Sequence, residues 1–173
     1  MKGKPKKQKI TFQPTSLSKR EHDYQFPSVC YERELKKVAS IGGQATGLVA
    51  GRLAARFKQS AELYDLETDQ WTALPELQRG RHSASSCFHG DYLFVFGGWG
   101  AGDQLENTIE RLSKACLLGQ ADPWELIEPE TSELRPRAHS AMVSLNANDY
   151  LILGGTATGL TNDVSRSNTL TTF

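Results

Sequence analysis

The chain has 173 residues, a length that fits one domain or a fragment of one, and 38% of its residues are hydrophobic. Twenty basic and twenty acidic side chains cancel, which excludes a strongly basic nucleic-acid binder, and no apolar run reaches the ~18 residues of a membrane span. The three cysteines form no CxxC pair and no even disulfide set, and no apolar stretch follows the basic start, so we expect a cytoplasmic or nuclear location.

The N-terminal segment, residues 1–22, is predicted to be a disordered basic tail. Its first twenty residues carry seven Lys or Arg and no acidic residue. They contain too few bulky apolar side chains to offset the entropy lost on ordering. The cluster KPKKQK is typical either of a solubilising tail or of a nuclear-import or anionic-surface patch.

A sequence repeat follows the tail. Gly-Gly pairs lie at 42–43, 97–98 and 154–155, which are 55 and 57 residues apart, and each pair ends a short apolar run. The segment RGRHSASSCFHGDYLFVFGG (79–98) matches RPRAHSAMVSLNANDYLILGG (135–155), with one additional residue in the second copy. After each of the first two pairs come a strand-like segment, a polar turn and a Trp that leads a second short strand. Each repeat is therefore predicted to hold four short strands.

The predicted strands are unevenly complete along the chain. The first repeat is expected to take its first two strands from 24–31 and 36–41, and the third repeat from 139–146 and 150–155. The second repeat is complete, with strands predicted at about 82–89, 91–97, 107–112 and 124–128. In the segment 47–59, apolar residues recur every four positions, which predicts either two or three helical turns inserted in a loop or a longer connection into the third strand.

This pattern resembles the Kelch repeat, a four-stranded unit with a period near 50 residues that forms the blades of a β-propeller. The resemblance covers residues 25–173 and rests on the following structural motif residues: Gly42, Gly43, Tyr64, Trp71, Arg81, Gly97, Gly98, Trp124, Arg137, Gly154 and Gly155. It implies an all-β fold of four-stranded antiparallel blades, one complete and two incomplete. In such a blade the glycine pair closes the second strand, where the backbone is crowded, and the aromatic residues fill the gap between neighbouring sheets.

The resemblance also implies a domain organisation. We expect the tail at 1–22, a first, degenerate blade at 23–80, a complete blade at 81–130 and a truncated third blade at 131–173. A closed propeller needs roughly 4–8 blades. This chain encodes fewer, so its open strand edges predict either self-association or a piece of a longer propeller.

Two local patterns bear on binding or catalysis. The loop GGWGAGD (97–103) follows a strand, as a phosphate-binding loop does, but Asp103 replaces its third Gly and no helix pattern follows, which favours a simple turn. The histidines show no spacing typical of metal ligands, and they lie at His22, His82, His89 and His139.

The predicted function is a Kelch-repeat protein-interaction module or scaffold without catalytic activity, cofactor or metal. The resemblance implies a protein partner, and we expect neither a membrane nor a specific nucleic acid as a partner. The alternative is an incomplete copy of a Kelch-type propeller enzyme, an oxidase or an isomerase. Kelch-type oxidases bind copper through Tyr and His with a Cys–Tyr cross-link, but no local pattern singles out Cys30, Cys87 or Cys116 for that role.

Overall fold

The computed structural model describes residues 25–49, 52–129, 134–157 and 164–168. Within these ranges the regular structure consists of β-strands and two short 3-10 helices, Ala101–Asp103 and Lys114–Leu118. The strands are β1 (Ser28–Glu32), β2 (Lys37–Ile41), β3 (Gln44–Val49), β4 (Arg52–Phe57), β5 (Ala61–Asp65), β6 (Gln70–Leu74), β7 (Ser85–His89), β8 (Tyr92–Phe96), β9 (Trp99–Gly100), β10 (Gln104–Leu105), β11 (Ile109–Ser113), β12 (Glu125–Ile127), β13 (Ala141–Ser144), β14 (Asp149–Leu153) and β15 (Val164–Asn168).

Three sheets follow one another along the chain. The first has the strand order β1-β2-β5-β6, the second β7-β8-β11-β12 and the third β13-β14-β15, and all neighbouring strands are antiparallel. Two hairpins, β3-β4 and β9-β10, lie in the connections between the second and third strands of the first two sheets. This series of antiparallel sheets, two of them four-stranded, confirms the predicted all-β fold class.

The second sheet is packed on both of its faces. Because successive side chains of a strand point to opposite faces, β8 contributes Leu93 and Val95 to one apolar cluster and Phe94 and Phe96 to another. The first cluster includes residues of the first sheet, and the second includes residues of the third. Each fully buried side chain of this size stabilises the fold by roughly 1.5–3 kcal/mol. The apolar run in β8 therefore fixes this sheet between its two neighbours.

The first strands of the three sheets lie side by side. Strand β7 packs between β1 and β13. Serine hydroxyls join these strands: Ser28 Oγ donates to Ser86 Oγ at 2.7 Å, and the Oγ atoms of Ser85 and Ser140 are 3.0 Å apart. The three sheets thus meet through their first strands, as the innermost strands of propeller blades do.

The predicted helix within 47–59 is wrong. This segment lies in the β3-β4 hairpin, whose pairing runs from Gln44 opposite Phe57 to Val49 opposite Arg52. A connection of two residues that contains a glycine is typical of a hairpin turn, and that local signal outweighs the four-residue spacing of three apolar side chains. The alternative prediction, a longer connection into the third strand, agrees with the structure.

Strand β7 begins at Ser85, three residues later than the predicted start at residue 82. Ser83 has a φ of 54°, which interrupts the extended backbone, and His82 instead forms an isolated bridge with Trp99. The predicted tail at 1–22 lies outside the described residues. Within the residues that are described, no helix is long and apolar enough to cross a membrane.

Candidate functional site

A backbone ladder joins the starts of the three first strands. Phe26, Ser83 and His139 occupy equivalent positions, and their φ angles are 56°, 54° and 56°. The Ser83 N–H donates to the Phe26 carbonyl oxygen at 2.9 Å, and the His139 N–H donates to the Ser83 carbonyl oxygen at 2.9 Å. Positive φ is uncommon for residues other than glycine. The same angle recurs at one position of each sheet, and at each of these positions the backbone takes part in the ladder.

The glycine pairs make a second set of bonds between sheets. Gly43 N–H donates to the Arg81 carbonyl oxygen at 2.8 Å, and Gly98 N–H donates to the Arg137 carbonyl oxygen at 2.9 Å. In both cases the second glycine of one sheet holds the arginine backbone of the next sheet. Backbone hydrogen bonds therefore connect the motif glycines of one repeat with the motif arginine of the next.

The first glycine of each of these pairs lies against the same carbonyl group. Gly42 and Gly97 have φ angles of 64° and 66°. A Cβ atom on Gly42 would overlap the Arg81 carbonyl oxygen, and one on Gly97 would overlap that of Arg137. Both the backbone angle and the close approach therefore require glycine at these positions.

The Arg81 side chain is fully buried and bonded within the second sheet. Its Nη1 donates to the carbonyl oxygens of Gly97 at 3.0 Å and Thr108 at 3.2 Å, and its Nη2 donates to Thr108 Oγ1 at 3.1 Å. Nη2 also forms a salt bridge with Glu110 Oε1 at 2.7 Å, and neither side chain is exposed. Burial lowers the pKa of Arg81, and the Glu110 carboxylate opposes that shift.

Glu110 also fixes the connection from the first sheet to the second. Its Oε2 accepts from the Gln78 N–H at 2.7 Å, and its Oε1 accepts from the Arg79 N–H at 3.2 Å. A buried charge is tolerated when it is paired and hydrogen-bonded. The Arg81–Glu110 pair meets this condition within the fold, so its role is to hold the strands and the connection together.

The third sheet repeats part of this arrangement. Arg137 Nη1 donates to the Gly154 carbonyl oxygen at 3.3 Å, and Arg137 Nε donates to the Arg135 carbonyl oxygen at 3.3 Å. Gly155 has a φ of 105°, and a Cβ atom there would lie 2.6 Å from the Ala138 carbonyl oxygen. Arg137 and this glycine pair thus occupy the same places in the third sheet as the corresponding residues in the second.

The aromatic motif residues differ in burial. Trp124 is fully buried in the cluster between the first and second sheets, and its Nε1 donates to the Pro75 carbonyl oxygen at 2.7 Å. Tyr64 and Trp71 are directly opposite each other on β5 and β6, with ring centroids 5.0 Å apart. Tyr64 is buried, whereas Trp71 is half-buried.

An aromatic surface surrounds the backbone ladder at the end of the molecule where the first strands begin. We call it the axial loop face and define it by five residues: Phe26, Phe57, His82, Trp99 and His139. The rings of Phe57 and His82 stack at 5.3 Å with an interplanar angle of 13°, and the Phe26 ring lies 6.1 Å from His82. Phe26 is 57% exposed. The ladder therefore presents aromatic side chains on a fixed backbone.

Hydrogen bonds also fix His82 at the centre of this face. Its N–H donates to the Trp99 carbonyl oxygen at 3.0 Å, and the Trp99 N–H donates to the His82 carbonyl oxygen at 2.9 Å. Its Nδ1 lies 3.0 Å from Ser83 Oγ. Burial lowers the pKa of His82, as does nearby His139, and Asp103 opposes the shift. The lowered pKa favours the neutral form of the ring, which is suited to stacking and hydrogen bonding.

The remaining candidate residues have structural surroundings. The loop at 97–103 enters the short β9-β10 hairpin, as the turn prediction expected. Cys30 and Cys87 lie on β1 and β7, and burial raises the pKa of each thiol to about 12. Among the residues that the structure describes, no three His, Cys, Asp or Glu side chains are grouped to hold a metal ion.

Sequence reasoning did not bring together the residues of the axial loop face. Phe26 lies just before β1, Phe57 ends the β3-β4 hairpin and His82 precedes β7. The repeat itself gave only a weak signal, because Phe26, Ser83 and His139 precede the first glycine of their Gly-Gly pairs by 16, 14 and 15 residues (42 − 26, 97 − 83 and 154 − 139), so these positions align only when gaps are allowed. The stacking of Phe57 on His82 depends on the hairpin, which the helical interpretation of 47–59 obscured.

Comparison with known proteins agrees with the repeat. The Kelch motif matches residues 80–115, the segment from the end of the first sheet into the 3-10 helix after β11. A stretch of 60 residues, 35% of this chain, is 35% identical to Kelch-like protein 5 of Homo sapiens and spans 8% of that protein. These two similarities confirm the resemblance to the Kelch-repeat family.

Proposed function

We propose that this Kelch-repeat chain is an intracellular protein-interaction module without catalytic activity, located in the cytoplasm or the nucleus. The single observation that carries the proposal is the axial loop face, where exposed and half-buried aromatic rings stand on a hydrogen-bonded ladder. We assign the eleven motif residues a structural role within blades at 23–80, 81–130 and 131–173.

The chemistry of the axial loop face fits a protein ligand. Aromatic side chains are enriched at protein interfaces and supply much of the binding energy there. The Phe26 ring is largely exposed, while its backbone carbonyl is held by Ser83. A side chain on a fixed backbone loses little conformational entropy on binding, which raises the affinity for a partner.

The most deeply buried charges support a non-catalytic role. Arg81 and Glu110 are bonded to each other and to the backbone of their own sheet. A catalytic group must reach a substrate from a cleft. These two side chains are instead buried within the sheet, where their hydrogen bonds hold neighbouring strands together.

The proposal can be tested by selecting peptide ligands from a displayed library against the purified chain. Ligands that bind the axial loop face should bind the Phe26→Ser variant at least ~10-fold more weakly, a difference of about 1.4 kcal/mol. The matched control is Leu118→Ser, because Leu118 is 71% exposed on the 3-10 helix at the opposite end of the sheets. Ligands that respond to Leu118→Ser and not to Phe26→Ser would show that the binding surface lies elsewhere.

The alternative, a Kelch-type oxidase, makes a separate expectation. Elemental analysis of the purified chain should find copper well below one equivalent if the chain is a binding module. A stoichiometric content of copper that survives dialysis would overturn the non-catalytic proposal.

A further inference from the structure

The interfaces between the three sheets repeat in register. Cys30, Cys87 and Val143 each lie four residues after a member of the backbone ladder. Cys30 packs against the cluster between the first and second sheets, which includes Phe88. Cys87 belongs to the cluster between the second and third sheets, and Met142 of the third sheet packs against that cluster. The side chain at this position therefore points toward the next sheet along the chain.

At the third sheet, the equivalent position is open. Val143 is 42% exposed, although Cys87 at the same place is buried. In the second sheet, the Ser83 carbonyl oxygen accepts a hydrogen bond from the third sheet, and the Gly98 N–H donates one to the third sheet. Within the described residues, nothing donates to the His139 carbonyl oxygen and nothing accepts from the Gly155 N–H. This end of the molecule therefore presents the acceptor, the donor and the apolar surface that the other two interfaces use.

The first sheet presents the complementary side. The Phe26 N–H has no acceptor among the described residues, although the N–H groups of Ser83 and His139 both donate to the preceding sheet. Val29 and Tyr31 on β1 are 59% and 51% exposed. In the sheets that follow, the equivalent positions pack against the sheet before them, as Phe88 does.

We propose that two copies of this chain associate head to tail, with the third sheet of each copy docked on the first sheet of the other. Both open ends are then used, and the two copies are related by a two-fold axis. Three sheets from each copy give six in all, within the roughly 4–8 blades that close a propeller. This inference concerns the open sheet faces and does not depend on the axial loop face as a binding surface.

The register of the known interfaces predicts the new one. Ser28 bonds to Ser86, which lies one position further along the repeat, and Ser85 bonds to Ser140, which lies one position earlier. A residue on the first strand of one sheet therefore contacts two residues on the first strand of the next sheet. These two residues lie one position before and one position after its own equivalent in the repeat. Applied to the open ends, this rule places Val143 of one copy against Val29 and Tyr31 of the other. These are exposed apolar side chains of β13 and β1, so the proposed interface matches apolar surface with apolar surface.

Sedimentation velocity of the purified chain over a range of concentrations tests the proposal. We expect a discrete species of two chains that does not grow further at high concentration. The variants Val29→Lys and Val143→Glu should each raise the dissociation constant at least ~10-fold. In a pair of identical variants, each of the two interfaces would bury one charged side chain that has no partner of opposite charge. Leu118→Glu is the control, because Leu118 is exposed but lies on neither open face, and it should leave the association unchanged.

An equimolar mixture of the Val29→Lys and Val143→Glu variants gives the decisive measurement. In the mixed pair, one interface brings the introduced lysine of one copy against the introduced glutamate of the other. The second interface keeps both valines, so association should be restored. Each variant should keep the far-UV circular dichroism spectrum of the parent chain, because both side chains are exposed in the single chain. Its melting temperature should fall only as far as the loss of association requires, since pairing stabilises the folded state. A monomeric parent chain, a species that grows with concentration, or charged variants that still pair when alone would each overturn the proposal.

Discussion

Replacing Gly97 by Ala should destabilise the chain far more than replacing Gly102, although both glycines have a positive φ. The φ angles are 66° and 71°. A Cβ atom on Gly97 would overlap the Arg137 carbonyl oxygen of the next sheet, whereas a Cβ atom on Gly102 would have nothing within 4 Å. Gly90, with a φ of 53° and the same open surroundings, gives a second control. The three variants therefore separate the cost of the backbone angle from the cost of the close approach.

The magnitudes follow from these contacts. An Ala residue in the left-handed region costs roughly 1–2 kcal/mol, which is the whole effect expected at Gly102 and Gly90. At Gly97 the second sheet and the third must also move apart. That movement breaks the 2.9 Å bond from Gly98 N–H to the Arg137 carbonyl oxygen, worth about 0.5–1.5 kcal/mol, and loosens the apolar packing around it. We therefore expect a loss of roughly 3 kcal/mol or more for Gly97→Ala.

Urea unfolding followed by tryptophan fluorescence measures these differences. The midpoints and slopes of the parent chain and of the Gly97→Ala, Gly102→Ala and Gly90→Ala variants give the change in the free energy of unfolding. Gly98→Ala should resemble Gly97→Ala, because a Cβ atom at Gly98 would lie 2.6 Å from the His82 carbonyl oxygen. Equal, small losses at all four positions would refute the reasoning, since the glycine pair would then have no role in joining the sheets.

Three further predictions concern buried side chains. Trp124→Ala should lower the free energy of unfolding by roughly 3–5 kcal/mol because the ring is fully buried, whereas Trp71→Ala should lower it by about 1–2 kcal/mol because its ring is half-buried. Urea unfolding compares the two variants, and equal losses would contradict the difference in burial. Arg81→Met should lower the free energy of unfolding by roughly 3–5 kcal/mol in the same assay, because the buried carboxylate of Glu110 loses its charged partner. A loss below about 1 kcal/mol would contradict the importance of this pair. Cys30 and Cys87 should resist iodoacetamide at pH 8 in the folded chain and react after denaturation, because their raised pKa of about 12 leaves ~0.01% of each thiol ionised. Peptide mass spectrometry measures the labelling of each cysteine, and rapid labelling of the folded chain would contradict this prediction.

The sequence predicted the second sheet best because several signals coincide there. The run Tyr92–Phe96 is apolar on both faces, and it is followed at once by the glycine pair at 97–98. A strand buried on both sides needs such a run, and the close approach to the next sheet needs glycine. Two independent physical requirements at adjacent positions make a pattern that can be recognised in a single sequence.

The axial loop face could not be predicted in the same way. It brings together Phe26, Phe57 and His82, which belong to a strand start, a hairpin end and a second strand start. Their proximity depends on how two sheets pack and on where the β3-β4 hairpin ends. A repeat identifies equivalent positions in successive sheets, but it carries no information about contacts between positions that are not equivalent.

The two tryptophans show where the repeat stops being informative. Trp71 lies on the fourth strand of its sheet, β6, and Trp124 directly precedes the fourth strand of its sheet, β12. The sequence predicted the same burial for both. Trp124 is fully buried because Leu74 and Leu77 of the preceding repeat belong to the cluster that surrounds it. Trp71 is on the first sheet and is only half-buried. Burial in a propeller is a property of two adjacent sheets, so the position of a residue within its own repeat predicts where the side chain points, and the neighbouring sheet decides how much energy that side chain contributes.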